Sequence, residues 1–268
     1  MFVDSHCHLS FPELQSQLSQ IREAMAAAQV DRALCICTTL EEFEDVHALA
    51  MGYDNFWASA GVHPDTENLA EPTVDTLLEL ASRPKVVGIG ETGLDYYDME
   101  GRKGGRTVAD MEWQRERFRV HIRAARRSGK PLIIHTRSAS DDTIAILKEE
   151  GEDGSPGSAG GVFHCFTETL EVARAALDLG FHISFSGILT FKSAADLREV
   201  AKFVPLERML IETDSPYLAP VPYRGKVNNP SYVPYVAKQI GELRGLPVEA
   251  VGEATSRNFE ALFRGVQS

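Results

Sequence analysis

Short apolar runs alternate with stretches in which apolar residues recur every three or four positions, and the alternation persists along the whole chain. The first kind of run reads as buried strand, the second as amphipathic helix. A first strand runs from Met1 into the His6–His8 segment; others are predicted at 31–39 (DRALCICTT), 56–62 (FWASAGV), 85–90 (KVVGIG), 131–134 (PLII), 161–163, 181–186 (FHISFS) and 208–211 (RMLI). Helices are predicted at 14–28, 41–51, 73–82, 111–128, 141–150, 168–179, 194–203, 231–243 and 248–263. Thr73 can cap a helix start, and Gly129 and Gly180 can end helices. Eight strand-then-helix units are the count of a (β/α)8 TIM barrel, an α/β fold. Neither a composition shift nor a linker divides residues 1–268, so a single domain is expected. Two loops are long, 95–107 and 151–161 (GEDGSPGSAGG). The second is rich in Gly and Ser and is expected to be a flexible insertion with no catalytic part.

Composition narrows the function. A chain of 268 residues with 43% hydrophobic content can bury a large core. Its formal charge of −12, from 27 Lys plus Arg against 39 Asp plus Glu, argues against coating long nucleic acid through a broad basic surface. A polyanionic partner must therefore be held locally. Arg102, Lys103 and Arg106, in a Gly-rich segment, are one candidate patch. The run Arg115, Arg117, Arg119, Arg123, Arg126 and Arg127 spreads around a helix and reads instead as a solvated, ion-paired face. No apolar run approaches the roughly 20 residues that span a bilayer, and the start lacks the pattern of a signal peptide. A cytoplasmic protein with no membrane association and no obligate protein partner is expected. Cys7, Cys35, Cys37 and Cys165 lie in or beside apolar runs and read as reduced core thiols.

Side chains two apart on a strand point to the same side, so His6 and His8 can present two imidazoles to one ion while Cys7 faces the other layer. Alone, such a pair is ordinary. The polar residues that interrupt or end the strands, however, are His6, His8, His63, Glu91, His135, His164 and Asp214. In a (β/α)8 barrel the carboxyl ends of all strands meet at one rim, so these residues converge on one pocket. Burying so many polar groups is costly unless a metal or one another satisfies them. Four imidazoles and two carboxylates exceed the needs of one ion and suit two divalent ions that activate a water, which points to hydrolysis.

The segments His6-Cys7-His8, Gly61-Val62-His63-Pro64, Gly90-Glu91-Thr92-Gly93-Leu94-Asp95-Tyr96, His135-Thr136-Arg137, Phe163-His164-Cys165-Phe166 and Glu212-Thr213-Asp214-Ser215-Pro216-Tyr217 resemble, in order, the motifs of the TatD family of metal-dependent deoxyribonucleases, a branch of the amidohydrolase-like barrels. The resemblance runs through to Arg257-Asn258. It implies that His6, His8, Glu91 and Asp214 hold one metal and that Glu91, His135 and His164 hold the other, with Glu91 bridging. It also implies that Asp214 takes the proton of the bridging water, and that His63 sits at the rim as a phosphate contact or proton donor. A structural role for His63, supporting Pro64 and its loop, is the other reading. Thr92 departs from the Ile that many members carry there, and leaves Glu91 in place.

Weaker candidates surround this set. Arg137 and Arg224 can bind phosphate bidentately. Tyr217 and Tyr223 can stack on a base, or pack locally. Glu212, two residues before Asp214, can orient a histidine. The 95–107 loop, with Arg102, Lys103 and Arg106, is expected to close on a nucleic-acid backbone. The expected activity is a divalent-metal deoxyribonuclease removing nucleotides from the ends of single-stranded DNA, using two ions drawn from zinc, manganese or magnesium. The same metal pair could instead attack an ester or amide, such as an aminoacyl ester on tRNA. A purely structural metal site is the third reading, and it would favour a closed four-ligand cage.

Overall fold

The computed structural model describes residues 1–266. Eight strands, β1 (Phe2–Cys7), β2 (Val30–Cys35), β3 (Phe56–Ala60), β4 (Val86–Asp95), β5 (Leu132–Arg137), β6 (Gly161–Phe163), β7 (His182–Phe185) and β8 (Met209–Ile211), form one parallel sheet in sequential order. Helices pack outside it: α1 (Pro12–Gln15), α2 (Leu18–Ala27), α3 (Phe43–Gly52), α4 (Val74–Ala81), α5 (Glu112–Ser128), α6 (Ser140–Glu149), α7 (Leu170–Asp178), α8 (Ala195–Phe203), α9 (Val233–Arg244) and α10 (Val248–Leu262). The sheet closes where β1 meets β8. Asp214 N–H donates to His6 O, and His8 N–H to Ser215 O, both at 2.9 Å. This is the (β/α)8 barrel expected from the alternation. Two details differ: the helix expected at 14–28 is split into α1 and α2, and β4 runs on through Glu91 to Asp95.

The barrel interior is layered. Val3, Leu34, Trp57, Val87, Ile133, Val162 and Leu210, on seven different strands, meet Phe259, Phe263 and Val266 in one apolar cluster that plugs the base. Alternation then dictates what stands above them. On β5 the inward ladder runs Ile133, His135, Arg137; from β6 it runs Val162 and, just past the strand, His164; from β8 it runs Leu210 and, past the strand, Glu212 and Asp214. A middle layer carries small polar groups, such as Ser5 and Ser184, whose hydroxyls lie 3.2 Å apart across the barrel. Counting by twos from Val3 would turn His6 outward. A register irregularity between Asp4 and Cys7 shifts the phase, so His6 and His8 face the mouth while Cys7 joins the outer core. A similar irregularity between Ile89 and Thr92 brackets Glu91.

The loop at 151–161 is built around one acid. Glu152 is fully buried, accepts from Ala159 and Gly160 backbone N–H groups and pairs with Arg126. It precedes β6, at the end of the barrel away from the histidines.

Candidate metal centre

Glu91 stands at the centre of the mouth, and its two carboxylate oxygens face different ways. Oε2 lies 3.4 Å from His6 Nε2 and 3.9 Å from His8 Nε2. Oε1 lies 2.8 Å from His164 Nε2, 3.2 Å from His135 Nδ1 and 3.3 Å from His63 Nε2. Asp214 joins the first group, its Oδ1 lying 3.4 Å from His8 Nε2 and 3.7 Å from His6 Nε2. His6 and His164 stack face to face at 3.8 Å between centroids, linking the two groups. The spacing of β3 against β4 makes this approach possible: a Cβ at Gly61 would collide with the backbone of Gly90.

Several buried nitrogens at this site have no hydrogen-bond partner among the described residues. Nδ1 and Nε2 of His6, Nδ1 of His8 and Nε2 of His164 are buried and make no hydrogen bond. Unpaired buried polar atoms are rare because each forfeits its solvation, so this donor set fits divalent cations. Candidate ligand atoms fall into overlapping groups, among them His6, His8 and Asp214, and His63, Glu91 and His135.

Tautomers separate the histidines. His164 Nδ1 lies 3.1 Å from Glu212 Oε1. That contact fixes a hydrogen on Nδ1, so Nε2 is the nitrogen a metal would take, in place of the ring's second proton. His63 is opposite: its Nδ1 accepts from Asp65 N–H at 3.0 Å, so the neutral ring carries its hydrogen on Nε2 and is a donor toward the pocket. His135 presents Nδ1 to Glu91, with Asp95 Oδ2 3.5 Å behind its Nε2.

The electrostatics follow from this crowding. Burial opposes ionisation of Glu91, yet His164, His63 and His6 hold it well below the usual carboxylate range. Asp214 is lowered in the same way, against its burial, by His8 and His6. Burial would lower His164, but Glu91 and Glu212 carry it well above the ordinary histidine value. His63 is lowered, chiefly by burial.

Around the centre lies a cavity of about 670 Å³ with two unlike walls. Arg102, Arg137, Asp65 and Thr66 line one side, and Phe11, Ile188, Tyr217 and Leu218 the other. Arg137 is exposed with its guanidinium stacked 3.6 Å over Tyr97, and Tyr217 is exposed beside Phe11. Arg224 lies outside the cavity on an exposed loop, 3.7 Å over Phe191. Tyr223 packs locally, stacked on Tyr232 at 4.1 Å. The 95–107 loop does not present free cations. Arg102 pairs with Asp65 at 2.7 Å, Lys103 is buried against the same carboxylate, and Arg106 pairs with both oxygens of Glu67.

Three supporting residues were not evident from the sequence. Asp4 is buried and clamps β1 to β8, accepting from Thr213 N–H at 2.9 Å and from the Thr213 hydroxyl. Arg117 and His121 of α5 brace the end of β3: Arg117 donates to His63 O at 2.8 Å, and His121 Nε2 accepts from Val62 N–H at 2.9 Å. Arg117 is thus buried, unlike the solvated face expected for its run. A signal did exist, because Gln114, Arg117 and His121 fall at i, i+3 and i+7 beside the apolar stripe of α5.

Residues 3–264 match the family model described as TatD related DNase. The chain belongs to the TatD family of metal-dependent hydrolases. It is 45% identical over 265 residues to the uncharacterized metal-dependent hydrolase YcfH of Escherichia coli strain K12, covering 97% of this chain and 95% of that one. It is 34% identical over 243 residues to the 3'-5' ssDNA/RNA exonuclease TatD of Escherichia fergusonii, covering 88% of this chain and 89% of that one. Among solved structures, the TatD homolog YJJV from Escherichia coli K12 superposes with a TM-score of 0.84 at 29% identity, covering 98% and 97% of the two chains. This TatD-family hydrolase has no helix long and apolar enough to cross a membrane among its described residues.

Proposed function

We propose that this protein is a two-metal exonuclease that removes nucleotides from the ends of single-stranded DNA by hydrolysing phosphodiester bonds. The observation that carries the reading is the divided carboxylate of Glu91, with His6, His8 and Asp214 gathered at Oε2 and His135, His164 and His63 at Oε1. In this reading His6, His8, Asp214 and Glu91 hold one divalent ion, and Glu91, His135 and His164 the second. Such ions supply an activated nucleophile and neutralise charge on the phosphoryl oxygens. The mixed imidazole and carboxylate donors accept zinc, manganese or magnesium. The exonuclease name of the Escherichia fergusonii relative supports the choice of substrate.

The chain's own residues then have distinct tasks. Asp214, held ionised by His8 and His6, accepts a proton at its carboxylate. His63 offers its Nε2 hydrogen to a phosphate or leaving oxygen, since Asp65 N–H occupies the other nitrogen. Arg137, flat on Tyr97, keeps its N–H edges free for phosphate, and Tyr217 at the opposite wall stacks on a base. The test is hydrolysis of end-labelled single-stranded DNA by metal-stripped protein with magnesium, manganese or zinc restored. Stepwise shortening that is abolished by Asp214→Asn and Glu91→Gln is expected. Stoichiometric metal binding without shortening of DNA or RNA would move the assignment to ester or amide substrates, an aminoacyl ester on tRNA among them.

A further inference from the structure

Arg137, at the end of β5, stacks on Tyr97 in the cavity wall and has no carboxylate within 4.0 Å among the described residues; the other cations at the mouth of the barrel divide into two sets. Those of the β4 loop are already spent: Arg102 and Lys103 on Asp65, Arg106 on Glu67. Those beyond β7 and β8 are not. Among the described residues, Lys192, Arg224 and Lys226 have no carboxylate within 4.0 Å, and all three are exposed. In a chain of net charge −12, three exposed cations on adjoining loops are thus left without an acidic partner.

Aromatic rings support it. The Arg224 guanidinium lies 3.7 Å over Phe191, and the Lys226 ammonium 5.8 Å over Tyr223. Stacking orients a guanidinium without consuming its N–H donors, which remain directed outward for phosphate. The two loops are also pinned together: Val221 N–H donates to the Thr190 hydroxyl at 2.9 Å, and Asn228 Nδ2 ties the β8 loop back to Thr213 O and Tyr217 O at 2.8 and 2.6 Å. The strip adjoins the cavity wall formed by Ile188, Tyr217 and Leu218.

We propose that the nucleic-acid strand leaves the cavity across the β7 and β8 loops, its phosphates held by Arg224, Lys226 and Lys192 and not by the β4 loop. This rests on the nuclease reading and adds to it a path for the strand outside the pocket. Each phosphate neutralised on a single strand contributes about 0.7 to the slope of log affinity against log salt. The experiment is fluorescence anisotropy of 5'-fluorescein dT12 bound to the Asp214→Asn protein between about 25 and about 200 mM salt, a range that spans strong and weak screening. Adding Arg224→Gln and Lys226→Gln should lower the slope by about 1.4, and Lys192→Gln alone by about 0.7. All three sites are exposed, and unchanged melting temperatures verify folding. An unchanged slope, with wild-type protein still shortening DNA, overturns this inference alone. A slope that falls only on Arg102→Gln and Arg106→Gln places the strand on the β4 loop and also overturns it. No binding of the oligonucleotide, together with no hydrolysis, overturns this inference and the nuclease reading together.

Discussion

Replacing Glu212 tests whether His164 is held ready by a hydrogen bond or merely packed. Glu212 is fully buried, and one oxygen, Oε1, receives both His164 Nδ1 at 3.1 Å and Cys165 N–H at 2.7 Å. Alanine leaves two largely buried donors without an acceptor, each costing about 1–3 kcal/mol, so Glu212→Ala should lose about 2–6 kcal/mol of unfolding free energy. Glutamine keeps an oxygen where both bonds end and puts its amide group where Oε2 has no hydrogen-bond partner. Its loss should be smaller, about 1 kcal/mol. What glutamine removes is the negative charge behind the imidazole, and an outer partner of this kind is worth about 10–100-fold in metal affinity. Glu212→Gln should therefore fold nearly as stably as wild type in EDTA yet bind zinc at least about tenfold more weakly. Urea unfolding in EDTA gives the first quantity, and competition with a chromogenic chelator gives the second. An alanine variant as stable as wild type in EDTA, or a glutamine variant that binds zinc undiminished, would show that Glu212 does not hold His164 in this way.

Three further outcomes follow from the same geometry. Burial pushes His121 down to about 4 from its ordinary 6.5. The neutral ring is favoured in the fold, so its stabilisation is complete above pH 6.5 and is lost as pH falls toward 4, by about 3 kcal/mol. Urea midpoints of His121→Gln should fall less over that interval than those of wild type, and an equal fall would discount the histidine. Phe263→Ala empties part of the plug at the base and should cost about 3–5 kcal/mol in urea unfolding; a loss under about 1 kcal/mol would mean that the barrel floor is not packed as described. Arg117→Met removes the donor to His63 O and Thr66 O. It should lower kcat more than about tenfold with little change in metal stoichiometry, whereas unchanged kcat would show that the loop carrying His63 needs no brace.

The alternation of apolar runs and amphipathic stretches was enough to read the barrel, because each strand must be buried on both faces and each helix on one. The seven polar strand-end residues were legible for the same reason, since a histidine or carboxylate is conspicuous where an apolar residue is the rule. Asp4 was harder: it lies beside the His6–His8 pair, yet its partner Thr213 is 209 positions away, and nothing local signals that pairing. Arg117 was hidden among five neighbouring arginines that do sit on an ion-paired surface. The 95–107 loop misled because its charge was visible and its neutralisation was not. Asp65 and Glu67, which absorb that charge, belong to the loop after β3, and only the closed barrel brings them opposite.

The layered interior has a consequence for how this protein tolerates change. Ile133 and His135, Val162 and His164, and Leu210, Glu212 and Asp214 share strands, so the residues that keep the barrel folded and those that line its mouth are separated by two positions, about 6–7 Å along the chain. Substitutions become close to additive only beyond about 7–10 Å, so coupling is expected within each such pair and fades between the mouth and the plug beneath the pair. The mouth can therefore accumulate substitutions that redirect its chemistry while the floor of Trp57, Phe259 and Phe263 continues to hold the fold. Variation in the histidine layer should appear as altered specificity among well-folded proteins, and variation in the floor as loss of the protein itself.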